Sequence, residues 1–149
     1  MSIKKLEIRP YHPSDEHDVI QLWLQCRLVT PANNPKRDIE RKLKITPELF
    51  LIATVDGKIV GTCMAGYEGH RGWINYLAVA PEHQRQGIAR TLIEVAEGKL
   101  RALGCPKINL QVRETNTGVI AFYQKVGYAI DPVVSLGKRL EYDPAYQPE

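Results

Sequence analysis

The sequence predicts a mixed α/β (α+β) fold in which a central sheet of six to seven strands packs with four helices. At 149 residues the chain suits one domain with a proper core and is short for two. Its hydrophobic content of 44% and charged content of 25% are average for a globular protein. Alternating and helical apolar patterns follow one another in the order β-α-α-β-β-β-α-β-α-β-β, which is a mixed arrangement.

The four helices are predicted from their end signals and from apolar residues at helical spacing. The first carries Val19, Leu22, Trp23 and Cys26 on one face, and Asn34-Pro35 is an N-cap followed by proline at the first helical position. Gly104 and Pro106 end the long third helix, and Gly127 ends the fourth. The helices are expected after Ser14, from Pro35 to about Ile45, from Ile88 to Leu103, and from Asn116 to Gly127.

Seven apolar segments bounded by turn residues predict the strands. Asp56-Gly57 predicts a hairpin between two of them, and a second turn is expected at Gly69–Gly72. The expected strands are 6–9, 49–55, 58–65, 73–79, 107–112, 128–130 and 133–140. Residues 1–140 are therefore expected to form a single domain. Residues 141–149 contain two prolines and little apolar material, so they are expected to be a mobile C-terminal tail.

Composition argues against several classes of function. No apolar run approaches the roughly 20 residues of a membrane span, and the charged N-terminus does not look like a signal peptide, so a cytoplasmic protein without membrane contact is expected. The three cysteines (Cys26, Cys63 and Cys105) are odd in number and lack C-x-x-C spacing, and the four histidines show no metal spacing. No metal is expected. The net charge of +3 is mild and scattered, which favours an anionic cofactor over nucleic acid.

The most informative segment joins the strand ending in Leu77, Ala78 and Val79 to a helix through a loop that reads Q-x-x-G-x-A. Backbone N–H groups at a helix N-terminus lack intrahelical partners and attract anions. Gly87 allows the backbone to turn and to approach a ligand closely. This geometry suits a pyrophosphate, and the residues expected to hold it are Gln84, Arg85, Gln86, Gly87, Ile88, Ala89 and Arg90.

A second motif runs from Asn116 through Tyr123 to Lys125-Val126-Gly127-Tyr128. Together the two motifs resemble the cofactor motifs of the GNAT superfamily, the GCN5-related N-acetyltransferases, in order and spacing. Alanine replaces the second glycine of the loop, and Val119 stands where the family often has alanine. The segments Gly66–Gly72 and Ser135–Leu140 resemble the YpeA subgroup of bacterial acetyltransferases.

The resemblance implies a GNAT fold with a splayed strand pair and an acetyl-CoA cosubstrate. Backbone groups of Leu77 and Val79 would pair with the pantetheine arm and hold the acetyl carbonyl, and Asn116 would hydrogen-bond the same arm. The catalytic residue would be Tyr123, whose hydroxyl would protonate the departing thiolate, whereas Phe122 is expected in the core. The acceptor would be a primary amine: a protein N-terminus, a lysine or a small molecule. The oligomeric state, monomer or homodimer, stays open.

The general base is not identified by the sequence. Some relatives carry a glutamate on the strand before the loop, but Trp73-Ile74-Asn75-Tyr76 contains no acid. Four neighbouring residues could serve but are more typical of a surface, so a water-mediated base is favoured; they are Glu68, His70, Glu82 and His83.

Two functions other than an enzyme are also compatible with parts of the sequence. A non-catalytic CoA-binding regulatory module would keep the loop without a productive acceptor site, but retention of Asn116 and Tyr123 favours catalysis. A nucleic-acid-binding domain would need a basic stripe with interleaved aromatic residues, which the sequence lacks.

Overall fold

Four helices and a five-stranded sheet make up the computed structural model, which describes residues 5–148. The strands lie in the order β1-β2-β3-β4-β5, antiparallel except for the parallel pair β4–β5. In chain order the elements are β1 (Leu6–Pro10), α1 (Glu16–Gln25), α2 (Pro35–Lys42), β2 (Phe50–Val55), β3 (Lys58–Tyr67), β4 (Gly72–Val79), α3 (Ile88–Ala102), β5 (Ile108–Asn109) and α4 (Thr117–Lys125).

The sheet has a separate hydrophobic core on each face. Strand β2 is buried on both faces and alternates between them: Phe50 and Ile52 pack with α1, whereas Leu51 and Ala53 pack with α3. Successive side chains of a strand point to opposite faces, so one apolar strand can serve both layers. The site described below lies at the end of β4, where the two layers meet.

The helix caps at Asn34 and Asn116 are confirmed. The Asn34 side chain accepts hydrogen bonds from the backbone N–H groups of Lys36 and Arg37, and the Asn116 side chain accepts one from Val119. The prediction at Ser14 is wrong, because Ser14 lies inside a 3-10 turn and α1 begins at Glu16. Helix α2 ends at Lys42, three residues earlier than expected, and Ile45 is exposed beyond it.

The expectation of six to seven strands is also wrong. Strand β5 comprises two residues instead of 107–112, and the segments 128–130 and 133–140 form no strand. Lys107 and Asn109 bond to Asp131 through their side chains, and Gln111 bonds to Ser135 in the same way. Side-chain bonds therefore replace a backbone ladder, and Val134 (83%) and Leu136 (91%) are exposed. β-propensity reflects packing on a pleated surface, and β5 is too short to provide one.

The tail predicted to be mobile makes several contacts, and its mobility stays a prediction. Asp143 pairs with both Nη atoms of Arg41 at 2.8 and 2.6 Å, and the carbonyl of Pro144 accepts a hydrogen bond from Asn34. Tyr146 packs against the core around α1. Within residues 5–148, no helix is long and apolar enough to cross a membrane.

Candidate active site

The loop between β4 and α3 presents six consecutive backbone amides, from Arg85 to Arg90, that have no hydrogen-bond acceptor within the part of the chain that the structure describes. The next amide, that of Thr91, bonds to the carbonyl of Gly87 and marks the first closed turn of α3. Arg85 and Gly87 both have positive φ angles, of 62° and 82°. Alternating right- and left-handed residues curl successive N–H groups toward one point and form an anion-binding concavity.

The space in front of this loop is open. A Cβ atom built on Gly87 would have nothing within 4 Å, so no other part of the described chain crowds the loop at this residue. Because these amides stand at the N-terminus of a 15-residue helix, the helix dipole adds to their attraction for a negative charge. The side chains of Arg85 and Arg90 are exposed beside the loop. The residues present therefore fit a pyrophosphate.

Gln84 has a structural contact in addition to its place in the motif. Its side-chain amide donates to the carbonyl of Val79 at 3.1 Å, and the thiol of Cys26 donates to the same carbonyl at 3.4 Å. These bonds fasten the loop to the end of β4. They also engage the carbonyl of Val79, one of the backbone groups expected to face the cofactor.

Strand β4 is paired with β5 only at its beginning, because β5 is two residues long. Their parallel pairing consists of Gly72 with Ile108 and Trp73 with Asn109, and no pair follows within residues 5–148. From Ile74 to Val79 the β5 side of β4 is therefore without a strand partner. The end of the pairing at Trp73 agrees with a splayed strand pair, which stays a prediction.

The other side of β4 is interrupted at the same level by a β-bulge. Thr62 of β3 pairs with Ala78 and Met64 pairs with Asn75, so β4 has one extra residue, and neither Tyr76 nor Leu77 has a partner on β3. Tyr76 has a φ of 49°. Leu77, at the predicted acetyl position, thus has no register partner on either neighbouring strand.

A buried hydrogen-bonded chain holds the bulge in place. The hydroxyl of Thr62 accepts from Trp23 Nε1 at 2.9 Å and donates to the carbonyl of Tyr76 at 2.8 Å. The rings of Trp23 and Tyr76 stack with their centroids 3.8 Å apart. The Tyr76 hydroxyl donates to Asp38 Oδ2 at 2.5 Å and accepts from Asn33 Nδ2 at 2.7 Å. Helices α1 and α2 therefore determine the shape of the strand on which acetyl transfer is expected.

The proposed catalytic tyrosine is the one residue of α4 that is buried. Tyr123 is 8% exposed, and its ring contacts Phe122 and Tyr128 in edge-to-face geometry. Its hydroxyl has no hydrogen-bond partner within residues 5–148 and is not fully enclosed, because Tyr123 lines an open groove beside β5. Burial, and to a smaller extent the nearby Cys63, raises the pKa of Tyr123. The core role predicted for Phe122 is wrong, since Phe122 is only half-buried.

An open groove of about 1540 Å³ lies on the β5 side of the molecule. It lies between β5, α4 and residues 127–135, and it includes Tyr123 but neither Leu77 nor the loop before α3. Its size follows from the missing closing strands. The free amides identify the anion site more directly, because they are specific unsatisfied donors.

The four neighbouring acids and histidines do not converge on this site through any hydrogen bond. The Glu68 carboxylate accepts from the backbone N–H groups of Arg71 and His70, which lowers the pKa of Glu68 and makes it part of its own turn. Glu82 is exposed, and His83 Nδ1 is buried without a partner. Among residues 5–148, no group of three or more His, Cys, Asp or Glu side chains could hold a metal ion.

Sequence reasoning missed the residues that shape β4 from the other layer. Asp38, Thr62 and Tyr76 lie far apart in sequence, and none belongs to a motif. The roles of the predicted cofactor-binding residues and of Tyr123 stay predictions.

Comparison with protein families identifies the class of protein. The acetyltransferase (GNAT) family model matches residues 11–128. This range spans both the β4–α3 loop and the Asn116–Tyr128 motif, and it includes most of the chain. The chain therefore belongs to the GNAT acetyltransferase family.

Individual relatives agree with this assignment. Acetyltransferase YE1169 of Yersinia enterocolitica is 50% identical over 141 residues, which are 95% of this chain and 100% of the relative. Acetyltransferase SG1711 of Sodalis glossinidius is 51% identical over 142 residues, again 95% and 100%. The crystal structure of Ard1 from Thermoplasma volcanium has a TM-score of 0.74 at 26% identity, with 85% of this chain and 84% of that chain covered. The protein is an N-acetyltransferase, and its family uses acetyl-CoA.

Proposed function

We propose that the enzyme transfers an acetyl group directly from acetyl-CoA to a primary amine, without an acyl-enzyme. The observation that carries the proposal is the run of six free amides from Arg85 to Arg90 beside the ladder-free backbone of Leu77. The first feature suits the pyrophosphate and the second suits the acetyl carbonyl. The bond from the Gln84 side chain to the carbonyl of Val79, which links the loop to the end of β4, supports a single ligand that reaches both.

The residues of the chain position the thioester of acetyl-CoA, and one of them donates a proton. Bound acetyl-CoA supplies the acetyl group as a thioester, whose C–S bond breaks as the amine forms the new C–N bond. Backbone groups of Leu77 orient the carbonyl, and Asn116 stays available for the pantetheine arm. The Tyr123 hydroxyl donates its proton to the departing sulfur, water takes the proton that the amine loses, and solvent then returns a proton to the Tyr123 phenolate. Burial raises the pKa of Tyr123 above its ordinary value, so the hydroxyl carries its proton throughout the neutral pH range.

A panel of primary amines tests the proposal. Peptide N-termini, lysine peptides and small amines are each incubated with the enzyme and acetyl-CoA, and thiol release is measured with mass spectrometry of the acceptor. We expect stoichiometric CoA release and a mass gain of one acetyl group on at least one acceptor class. Binding of acetyl-CoA without acetylation of any amine would contradict the proposal and favour a regulatory module.

Acetyl-CoA is expected to stabilise the folded protein, because only the folded chain assembles the loop amides. At about 100 times Kd, a ligand adds roughly 2.7 kcal/mol to the free energy of unfolding. For a domain of this size, the Tm should rise by several degrees. Differential scanning fluorimetry with acetyl-CoA measures the shift, and an equal concentration of acetate is the control. No shift in folded protein would count against the cofactor site.

The rate is expected to rise with pH, because no carboxylate on β4 serves as a base and the acceptor must be neutral to attack. With a lysine-type acceptor, kcat/KM should rise well above pH 8, since a free lysine ammonium titrates near about 10.4. With an α-amino acceptor it should level off near about 8. The raised pKa of Tyr123 keeps its proton in place over this range and adds no falling limb.

A profile that levels off near about pH 6–7 with a lysine-type acceptor would instead indicate an enzyme base, since that is the range in which a histidine titrates. Single replacements of Glu68, His70, Glu82 and His83 would then identify it. We expect that none of the four replacements lowers kcat/KM by more than about tenfold, which corresponds to about 1.4 kcal/mol.

A further inference from the structure

A second cavity lies between α2 and β4, beside the bulge. Its volume is about 400 Å³. The β-bulge places Asn75 and Tyr76, which are consecutive, on the same wall, and Leu77 follows directly. The cavity therefore adjoins the strand position at which acetyl transfer is proposed. Its lining residues are Asp38, Arg41, Lys42, Ile45, Met64, Asn75 and Tyr76.

The two basic residues of this cavity already have partners. The Lys42 ammonium is buried and donates to the carbonyl of Ala65 at 2.5 Å and to the Thr46 hydroxyl at 3.2 Å. The Arg41 guanidinium forms a two-bonded pair with Asp143 of the C-terminal tail. Neither cation is left to bind a ligand anion.

Asp38, in contrast, retains capacity to accept hydrogen bonds. Its Oδ2 receives the Tyr76 hydroxyl, and its Oδ1 forms a long ion pair with Arg41 Nη1 at 3.5 Å, at the limit of a hydrogen bond. A carboxylate offers about four lone-pair positions, so most of them are open. Met64 and the Tyr76 ring supply apolar surface along which an alkyl chain can lie.

We propose that Asp38 binds a second positively charged group of the acceptor, so that the enzyme prefers amines that carry another ammonium group. This inference rests on the proposed function. The reacting amine must be neutral to attack, and a carboxylate at that nitrogen would favour its charged form. A separate ammonium remains charged throughout, so its pairing with Asp38 helps binding without opposing the attack.

The C-terminal tail contributes to this preference because its Asp143 forms an ion pair with Arg41. Asp143 draws the guanidinium into its own pair, whereas Arg41 without that partner would turn to Asp38, which is already 3.5 Å away. Asp143→Asn is therefore expected to weaken the preference for dications even though Asp143 does not line the cavity.

The test compares 1,4-diaminobutane with butylamine, which share one chain length and differ in the second ammonium. We expect kcat/KM to favour the diamine about tenfold or more in the wild-type enzyme, in line with a hydrogen bond between charged groups. Asp38→Asn should bring the ratio to about 1. Glu40→Gln, which removes an exposed acid from the same helix, is the matched control and should keep the wild-type ratio. The same ratio of kcat/KM is then measured for glycyl-lysine amide and glycyl-norleucine amide, which differ in the side-chain ammonium group. A ratio above 1 means that a peptide can supply the second charge.

Binding separates this inference from the proposed function. Calorimetric titration of 1,4-diaminobutane into CoA-saturated protein should show an affinity that Asp38→Asn lowers about 10- to 100-fold. Diamine binding that depends on Asp38, without acetylation of any amine, would overturn the proposed function but would support the binding role of Asp38. Acetylation of both amines at equal kcat/KM, or a ratio that Asp38→Asn leaves unchanged, would overturn the inference and keep the enzyme.

Discussion

Gly87→Val is expected to abolish acetyl-CoA binding and leave the fold intact. Gly87 has a φ of 82°, a left-handed conformation that a β-branched residue rarely adopts. The new side chain would also project into the open space before the free amides. Several charge-assisted hydrogen bonds, each contributing about 1.5–3 kcal/mol, depend on that arrangement. Calorimetric titration should therefore show Kd raised more than about 100-fold.

Two variants make this result specific. Gly98→Val places the same side chain on an exposed part of α3, where a Cβ atom has nothing within 4 Å, and should bind acetyl-CoA normally. Arg85→Ala keeps the backbone amide and should weaken binding less than Gly87→Val. Equal losses of acetyl-CoA affinity in the Arg85 and Gly87 variants would mean that side-chain charge, rather than the backbone amides, binds the cofactor. Circular dichroism checks that each variant is folded.

Tyr123→Phe is expected to lower kcat by about 100-fold or less, with little change in acetyl-CoA affinity. A general acid contributes typically about 10²–10⁴-fold, and a thiolate is a fair leaving group without help, so the low end applies. The hydroxyl has no partner within residues 5–148, so its removal leaves no orphaned donor and the edge-to-face ring contacts remain. Steady-state kinetics at saturating acetyl-CoA measure the effect.

Tyr128→Phe is the matched control for this prediction. Tyr128 contacts Tyr123, but its hydroxyl donates to Glu97 at 3.0 Å, so the variant loses a structural hydrogen bond. It should lose about 1 kcal/mol of stability and keep its kcat. Wild-type turnover by the Tyr123 variant would reassign that residue to packing.

The features that the sequence predicted well depend on neighbours within a few positions. Asn34 and Asn116 cap helices because an N-cap side chain bonds amides two or three residues ahead. The Asp56-Gly57 turn has both φ angles positive, at 50° and 82°, as its residue types indicate. The loop before α3 likewise has its shape from consecutive residues. The GNAT assignment rested on such local motifs and is confirmed by the family match.

The features that required tertiary structure join residues far apart in sequence. Strands 128–130 and 133–140 were predicted from apolar content, but a strand needs a partner edge, and β5 ends at Asn109. The bulge at Tyr76 depends on Thr62 and Trp23, which periodicity does not connect to it. The cavity between α2 and β4 is lined by Asp38 and Tyr76, which are hydrogen-bonded across 38 positions of sequence. Local backbone conformation, with positive φ at Arg85 and Gly87, thus shapes the loop before α3 from consecutive residues, whereas packing between layers decides the shape of β4 and of the cavity beside it.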